Sequence, residues 1–464
     1  ISTADGVNAI ISSTGATAKS QFGAASSVIR FQGARYVTID GREKNLTIRL
    51  PQNPTDVNFV NNPLTRVIDV IGWSQPATDI TIRGCNILGY SNTTTIFSYA
   101  GIYQGGVAFN LTTPVPVNPI REKNNNNRFE SNFIGAVKYG IYLKGINNIS
   151  GGYDLNTKVI GNTIGGTNMV GGAVATDNFG GIANAAGILV SHQANALIDS
   201  NVVRNNIPSF NNNSGIELSN SGIPTTGQWN TDSAITVTRN TIRSISSSTT
   251  AAYGIYTNIR WDGTKSIAIY NNMISAISAL GSTPSGTGFL NNPFGILLDG
   301  TLPVSGPAFL DIDVNIWNNS INLGQATTLG TAGISSCIGV GTNTRGTINV
   351  TNNILQNRLS RAVAGGNIYA LAAAANLNPF NYTDYNNYYV AGTVGNNMVA
   401  GVNISATATN YSTVANWATF TMQDTLSLSV ASPFISDVNL LIPNGTSSPL
   451  YRAGQRIPRI NNDI

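Results

Sequence analysis

Apolar residues recur along the chain in one short frame, in which two aliphatic side chains spaced by two residues precede an asparagine. Residues 267–274 read Ile-Ala-Ile-Tyr-Asn-Asn-Met-Ile, and residues 314–321 read Val-Asn-Ile-Trp-Asn-Asn-Ser-Ile. The frame recurs every 30 to 47 residues, and its asparagines are Asn86, Asn132, Asn162, Asn201, Asn240, Asn272, Asn319, Asn353 and Asn387. Self-similarity at a period of a few tens of residues is typical of a solenoid or a propeller.

A second element falls once between successive asparagines, and it is a glycine followed by an alternating apolar strand. These strands are predicted to begin at Gly101, Gly140, Gly187, Gly215, Gly254, Gly295, Gly333 and Gly366. Each period is therefore predicted to contain one Gly-Ile strand and one pair of short strands that meet at the asparagine.

The asparagine suits a bend between two strands. Alternate strand residues point to opposite faces, so the Ile-x-Ile spacing directs two side chains into the interior. Asparagine tolerates the left-handed backbone conformation, and its amide can bond to nearby main chain. In stacked coils, equivalent amides would lie about 4.8 Å apart and could bond to one another as a ladder.

The pattern therefore predicts an all-β, right-handed parallel β-helix of roughly 11–12 coils with long loops. A propeller is the alternative. It is disfavoured because its blades need tight hairpin turns, and Asn-Gly or Asp-Gly turns do not recur at fixed places.

The change in pattern near residue 403 predicts two domains, a β-helix at 1–403 and a C-terminal cap at 404–464. Residues 411–420 predict a short helix with Ser412 as its N-cap. The apolar face of that helix, which includes Trp417, is expected to cover the last coil.

Composition favours an extracellular protein. Charged residues make up 10% of the chain, against about 25% in typical domains, so Asn, Ser and Thr must supply the polar surface. The net charge is +4 and basic residues are scattered singly, which argues against a nucleic-acid partner. No apolar run is long enough to cross a membrane.

The two cysteines, Cys85 and Cys337, are predicted to be free and buried. About six coils separate them, so they would lie roughly 30 Å apart in a stacked helix. A disulfide requires Cα atoms within about 7 Å of each other.

Several stretches in a fixed order carry a family resemblance. Residues 36–41 read Tyr-Val-Thr-Ile-Asp-Gly, residues 382–389 read Tyr-Thr-Asp-Tyr-Asn-Asn-Tyr-Tyr, and residues 431–434 read Ala-Ser-Pro-Phe. With the repeated Asn frame, they resemble the right-handed β-helix region of large secreted surface proteins of Bacteroidota, which the type IX system exports. The resemblance covers nearly the whole chain. It implies export and a longer precursor, of which this chain is expected to be a processed piece, and it implies no reaction.

Candidate catalytic groups are few. Glycoside hydrolysis needs two carboxylates roughly 5–10 Å apart, and the candidate pairs are Asp311 with Asp313, and Asp199 with Glu217. A lyase needs a base and a charge neutraliser, and His192 is the only histidine. Structural roles are expected for all five residues, so no catalytic, cofactor-binding or metal-ligating residue is assigned.

Aromatic residues provide the remaining candidates for binding. Exposed tryptophan can stack on sugars or anchor a protein partner, although packing within loops is the expected role of Trp73, Trp229 and Trp261. Three tyrosines are expected to stack in the last coil, namely Tyr385, Tyr388 and Tyr389.

The sequence therefore predicts a secreted, non-enzymatic, structural or adhesive protein of the cell surface. An uncovered first coil makes a head-to-tail filament of like subunits a plausible assembly. The alternative is a β-helix that binds or degrades a polysaccharide, and long loops on one side would then carry the function.

Overall fold

The computed structural model describes most of the chain. The described residues are 9–12, 27–50, 66–72, 75–90, 98–106, 123–145, 154–166, 177–181, 184–208, 212–219, 234–248, 251–260, 266–279, 289, 292–301, 313–324, 333–342, 344, 346–360, 366–375, 378–443, 447–450 and 453–457. The chain forms two compact units. Unit 1 comprises Ile1–Ile207, Ile216–Thr236 and Pro303–Ala308, and unit 2 comprises Pro208–Gly215, Val237–Leu302 and Phe309–Ile464.

Short strands make up most of the described chain. Those of unit 1 are β1 (Ala9–Ser12), β2 (Ser27–Gln32), β3 (Thr38–Asp40), β4 (Leu46–Arg49), β5 (Arg66–Gly72), β6 (Thr81–Arg83), β7 (Cys85–Leu88), β8 (Ala100–Gly106), β9 (Arg128–Glu130), β10 (Phe133–Gly135), β11 (Tyr139–Lys144), β12 (Asp154–Leu155), β13 (Lys158–Ile160), β14 (Thr163–Ile164), β15 (Phe179–Gly180), β16 (Ala185–Ser191), β17 (Gln193–Ala194), β18 (Leu197–Asp199), β19 (Val202–Arg204) and β20 (Asn206–Ile207). Strands β21 (Asn213–Ser219) and β22 (Ile235–Thr238) each include residues of both units.

Unit 2 contains the remaining strands and one short helix. They are β23 (Thr241–Ser247), β24 (Ala252–Arg260), β25 (Ser266–Tyr270), β26 (Met273–Ala279), β27 (Pro293–Thr301), β28 (Asp313–Trp317), β29 (Ser320–Asn322), β30 (Ser335–Val340), β31 (Ile348–Thr351), β32 (Ile354–Asn357), β33 (Asn367–Ala373), β34 (Tyr382–Asp384), β35 (Asn387–Val390), β36 (Asn396–Val402), β37 (Thr409–Tyr411) and α1 (Val414–Thr421).

Three types of strand alternate along the chain, and each type forms a parallel sheet. In unit 1 the orders are β3-β6-β9-β13-β18 (sheet A), β1-β4-β7-β10-β14-β19 (sheet B) and β2-β5-β8-β11-β16 (sheet C). In unit 2 they are β25-β28-β31-β34 (A), β23-β26-β29-β32-β35 (B) and β24-β27-β30-β33-β36 (C). The chain is therefore an all-β parallel β-helix, as predicted.

Aliphatic side chains in register fill the interior. On sheet A of unit 1, the inward column is Ile39, Ile82, Phe129, Val159 and Ile198, all fully buried. Burial of one such side chain contributes about 1.5–3 kcal/mol. A register slip of one residue would turn the whole column outward, so the alternation fixes the stacking.

Buried asparagine amides form a ladder at the bend between sheets A and B. In unit 1, Asn132 Nδ2 donates to Asn162 Oδ1 and Asn162 Nδ2 donates to Asn201 Oδ1, each at 3.0 Å. In unit 2 the bonds measure 2.9–3.1 Å and join Asn240, Asn272, Asn319, Asn353 and Asn386. Each acceptor oxygen also receives the backbone N–H of the preceding ladder residue, as Asn162 Oδ1 does from Asn132. The predicted ladder is confirmed.

Two of the nine predicted ladder positions were wrong by one residue. Cys85 takes the position predicted for Asn86, and its backbone N–H donates to the next ladder amide at 3.1 Å. Asn386 takes the position predicted for Asn387 and accepts from the preceding ladder amide at 3.1 Å. At these two ends of the repeat, polar neighbouring residues obscure which of two adjacent side chains points inward.

The left-handed residue of each bend lies one position before the ladder asparagine rather than at the asparagine itself. The φ angles are 53° at Ser131, 56° at Ser200, 52° at Asn318 and 59° at Asn352. The preceding residue makes the turn, which leaves the ladder amide directed into the interior.

A column of glycines on sheet C marks a close approach between strands. A Cβ atom at Gly140 would lie 2.5 Å from the carbonyl oxygen of Gly187 and 2.6 Å from Cγ2 of Ile164. Real Cβ atoms do not approach so closely, so a larger side chain would displace the neighbouring backbone.

Gly333 and Gly366, where the last two Gly-Ile strands were predicted to begin, precede β30 and β33 and lie outside this column. The register places Cys337 opposite Gly295 and Ala370 opposite Cys337. Small side chains therefore replace glycine in the later coils. Both cysteines are free and buried, as predicted.

Residues that follow the last coil pair with the last strand of each of the three sheets. Strand β37 pairs antiparallel with β36 of sheet C. Leu428 forms a bridge with Asn387 of sheet B, and the backbone N–H of Asp424 donates to Thr383 of sheet A. The last parallel strand of each sheet therefore already has a partner from the same chain.

Helix α1 covers this end as predicted, but it begins later. Its N-cap is Thr413, whose side chain accepts from Asn416 N, and the prediction of Ser412 was wrong. Trp417 is fully buried and its ring contacts Tyr411 and Phe380. The predicted domain boundary at 403 stays a prediction.

Candidate binding face

The carboxylates selected from the sequence do not form one site. Asp313 begins β28 and is exposed, and its predicted partner Asp311 lies outside the described residues. Asp199 lies on β18 of sheet A, where Ser200 Oγ donates to it at 2.9 Å. Glu217 lies on β21, which belongs to sheet C. Asp199 and Glu217 therefore extend from different sheets.

His192 is a buried turn residue. It follows β16 with φ 53° and is 3% exposed. Its Nδ1 lies 2.8 Å from Ser191 Oγ, and its Nε2 has no hydrogen-bond partner within the described part of the chain. Burial, followed by the charge of Lys144, lowers its pKa to about 3. The imidazole is therefore neutral and shielded from solvent, which favours the expected structural role.

A buried polar cluster, which was not predicted from the sequence, lies within unit 1. Asp154 accepts from the backbone N–H of Asn124 and from Gln104 Nε2, each at 2.8 Å, and from Gln193 Nε2 at 3.3 Å. All four residues are fully buried. Burial raises the pKa of Asp154 to about 7, although these hydrogen bonds oppose the rise. The only sequence signal is a polar Gln104 two residues after the inward-facing Ile102.

Of the aromatic residues selected from the sequence as candidates for binding, the structure describes the tyrosines but not the tryptophans. Trp73, Trp229 and Trp261 lie outside the described residues. Tyr388 is buried and donates to Asp424 Oδ1 at 2.7 Å, whereas Tyr389 is half-buried on the opposite side of the same strand. The three tyrosines therefore do not form the predicted stack, because adjacent strand residues point to opposite faces.

The outer face of sheet A in unit 1 is charged. Asp40 on β3 and Arg83 on β6 form an ion pair at 2.7 Å, and Arg128 pairs with Glu130 along β9. Hydrogen bonding to Arg83 lowers the pKa of Asp40, so this carboxylate is ionised at neutral pH. Exposed pairs of this kind are worth little energetically and form a solvated surface.

The outer face of sheet A in unit 2 has a different chemistry. Tyr270 and Trp317 are register partners on β25 and β28. Two residues earlier on each strand, a second column contains Asn315, Asn349 and Tyr382 on β28, β31 and β34. These five residues, called here the aromatic–amide face, are half-buried or exposed, and Tyr382 is 39% exposed.

The two amides of this face have hydrogen-bonding groups that no described residue uses. Asn349 Nδ2 donates to Asn315 Oδ1 at 2.9 Å. The Nδ2 of Asn315 and the Oδ1 of Asn349 have no partner among the residues that the structure describes, so the pair offers a free NH2 group and a free carbonyl oxygen. Their backbone strands are about 4.8 Å apart, which places these groups and the aromatic rings on one continuous surface.

A groove begins at the corner next to this face. Asn318, Asn352 and Tyr385 directly follow the last residues of β28, β31 and β34, and they line a cavity of about 850 Å³. Leu441 and Ile457 of the C-terminal segment also line it. Ligand sites typically measure about 300–1,000 Å³. Asn352 already binds the C-terminal segment, because its Oδ1 accepts from Gln455 N at 2.8 Å.

Other kinds of site find no support in the described ranges. Within them, no group of three or more His, Cys, Asp or Glu residues could hold a metal ion. No helix there has the length and apolar character needed to span a membrane. In comparisons with known proteins, neither a protein-family model nor a curated protein matches the chain.

Proposed function

We propose that the chain is a secreted, non-enzymatic, structural and adhesive β-helix of a cell surface or extracellular fibre. The observation that carries the proposal is the aromatic–amide face, whose groups can bind a ligand on a rigid support. Parallel strands in register and a buried amide ladder fix the positions of Tyr270, Trp317 and Asn315. A preformed surface loses little conformational entropy on binding, which suits adhesion.

The same face is poorly equipped for catalysis. A lyase needs a base and a positive group that neutralises the substrate carboxylate. Strands β25, β28, β31 and β34 contain no Lys, Arg or His. His192 and Asp154 are buried elsewhere, in unit 1, and their hydrogen bonds are internal.

The closed C-terminal end limits the kind of assembly that the proposal includes. A head-to-tail filament built by adding strands needs an open sheet edge at both ends of each subunit. At the C-terminal end, β37, Leu428 and Asp424 already occupy the edges of the three sheets. The proposed adhesion therefore uses a side face of the solenoid rather than strand addition at this end.

The proposal is tested by measuring binding and turnover together. Purified chain is incubated with a panel of polysaccharides, and bound protein, new reducing ends and unsaturated uronates are measured in the same samples. Fractionation of producing cells, with antibody labelling of intact cells, tests the location. We expect surface labelling and no product. Catalytic release of product, or a chain confined to the cell interior, would overturn the proposal.

A further inference from the structure

The outer face of sheet A carries charged side chains in unit 1 and aromatic and amide side chains in unit 2. In unit 1, charged side chains such as those of Asp40 and Arg83 form ion pairs on this face. In unit 2, aromatic rings and amides replace them, at Tyr270, Trp317 and Asn315. Solubility alone requires charge or small polar groups, so it does not account for half-buried rings in register on neighbouring outward positions.

We propose that the aromatic–amide face binds a neutral polysaccharide, with the chain of sugars lying across the strands. This proposal rests on the adhesive function and names its ligand class. A pyranose ring has a flat C–H face and a rim of hydroxyl groups. The rings of Tyr270, Trp317 and Tyr382 offer apolar surfaces for the C–H faces, and their polar atoms remain available at the edge.

The amide pair supplies matching groups for the hydroxyl rim. A sugar hydroxyl both donates and accepts, and the pair presents the donor Asn315 Nδ2 and the acceptor Asn349 Oδ1. Because Asn349 Nδ2 holds Asn315 Oδ1 at 2.9 Å, the free groups are oriented before the ligand arrives. Binding that leaves these groups unpaired would be weak, which gives the face selectivity for hydroxyl-rich ligands.

The charges of the face select against acidic polysaccharides. Its four strands carry Asp313 and Asp384 and no basic residue. Asp313 is exposed, and Asp384 Oδ1 accepts from the backbone N–H groups of Tyr385 and Leu426, each at 2.9 Å. A uronate polymer would place its carboxylates beside these two like charges, and such juxtaposition is unfavourable. A neutral polymer meets no such barrier.

The experiment measures dissociation constants of the full chain for soluble mixed-linkage β-glucan, galactomannan and polygalacturonate at physiological salt. Wild-type chain is expected to bind at least one neutral polymer, and Trp317→Ala to weaken that binding by about 10-fold or more. Trp317→Phe keeps a ring and should retain most of the affinity. The matched control is Tyr36→Ala, which removes an aromatic side chain that is 82% exposed in unit 1.

A charge variant gives a second readout that does not depend on losing a contact. Asp313→Lys is expected to raise the affinity for polygalacturonate several-fold while leaving neutral binding within about twofold. Failure of wild type to bind either neutral polymer, or equal binding by Trp317→Ala and wild type, would overturn the glycan proposal. Release of products would instead overturn the non-enzymatic function, so the two failures are distinguishable.

Discussion

Trp417 donates its indole N–H to Asp424 Oδ2 at 2.9 Å, and this bond joins helix α1 to the segment that follows it. Asp424 is 1% exposed and also accepts from Tyr388, Ser427 and Thr383. One buried carboxylate therefore gathers groups from α1, from sheet strands β34 and β35, and from the segment that follows. The cap is held by specific polar bonds as well as by apolar contact.

The first prediction concerns this cap. Trp417→Phe removes the hydrogen bond to a carboxylate while keeping an aromatic ring, and it should lower the free energy of unfolding by about 1.5–3 kcal/mol. Chemical denaturation followed by circular dichroism measures the change. Met422→Ala serves as the control, because Met422 is 90% exposed. Equal stabilities of Trp417→Phe and wild type would show that the bond contributes nothing to the cap.

The second prediction concerns the amide ladder. Asn319→Ala leaves the backbone N–H of Asn272 without its acceptor in the interior, and it removes the amide that donates to the carbonyl of Ile269. It should destabilise the chain by about 2–5 kcal/mol, since each buried unsatisfied group costs about 1–3 kcal/mol. Asn86→Ala is the matched control, because Asn86 lies outside the ladder and bonds at the surface to Lys44 O. A similar loss in both variants would contradict the register described above.

The third prediction uses the two cysteines, which occupy different repeat columns. Cys85→Asn places an amide at the ladder position beside Asn132, and it should keep or raise stability by about 0.5–1.5 kcal/mol. Cys337→Asn introduces a larger polar group into the closely packed column opposite Gly295, and it should destabilise by more than about 1 kcal/mol. Thermal unfolding of the two variants gives the comparison, and the reverse order would refute it.

The fourth prediction concerns pH. Burial raises the pKa of Asp154 to about 7, above its value in the unfolded chain. The folded state therefore holds a proton on Asp154 that the unfolded state has released. The free energy of unfolding consequently decreases as the pH rises towards about 7. His192 acts in the opposite direction, because its lowered pKa costs stability at acid pH.

A variant isolates the Asp154 contribution. Asp154→Asn cannot ionise, so its stability relative to wild type should increase as pH is raised from 4 to 7.5. Urea denaturation at each pH measures the difference between the two proteins. A pH-independent difference would mean that Asp154 ionises in the folded chain as easily as it does in water.

The repeat made the fold predictable, because inward aliphatic residues and a buried amide recur with the spacing that stacked coils require. Asn132, Asn162 and Asn272 could be placed for this reason. Cys85 and Asn386 could not, since the frame has a one-residue ambiguity where polar residues adjoin the bend. Only pairing with the neighbouring coil resolves it.

The binding face was harder to predict than the fold. Tyr270 and Trp317 lie 47 positions apart, and each alone resembles an ordinary outward strand residue. Their adjacency depends on the register between β25 and β28, which also aligns Ala268 with Asn315. The sequence directed attention to tryptophans in loops instead, because loops usually carry function in solenoids. The Asp154 cluster was missed for a similar reason, since Gln104 and Gln193 meet only across coils.

The most direct test of the central claim is a crystal structure of the chain with a neutral oligosaccharide derived from a polymer that it binds. We expect an intact oligosaccharide across Tyr270 and Trp317, with a hydroxyl group bonded to Asn315 Nδ2. An oligosaccharide bound away from this face, or a cleaved product within it, would contradict the account.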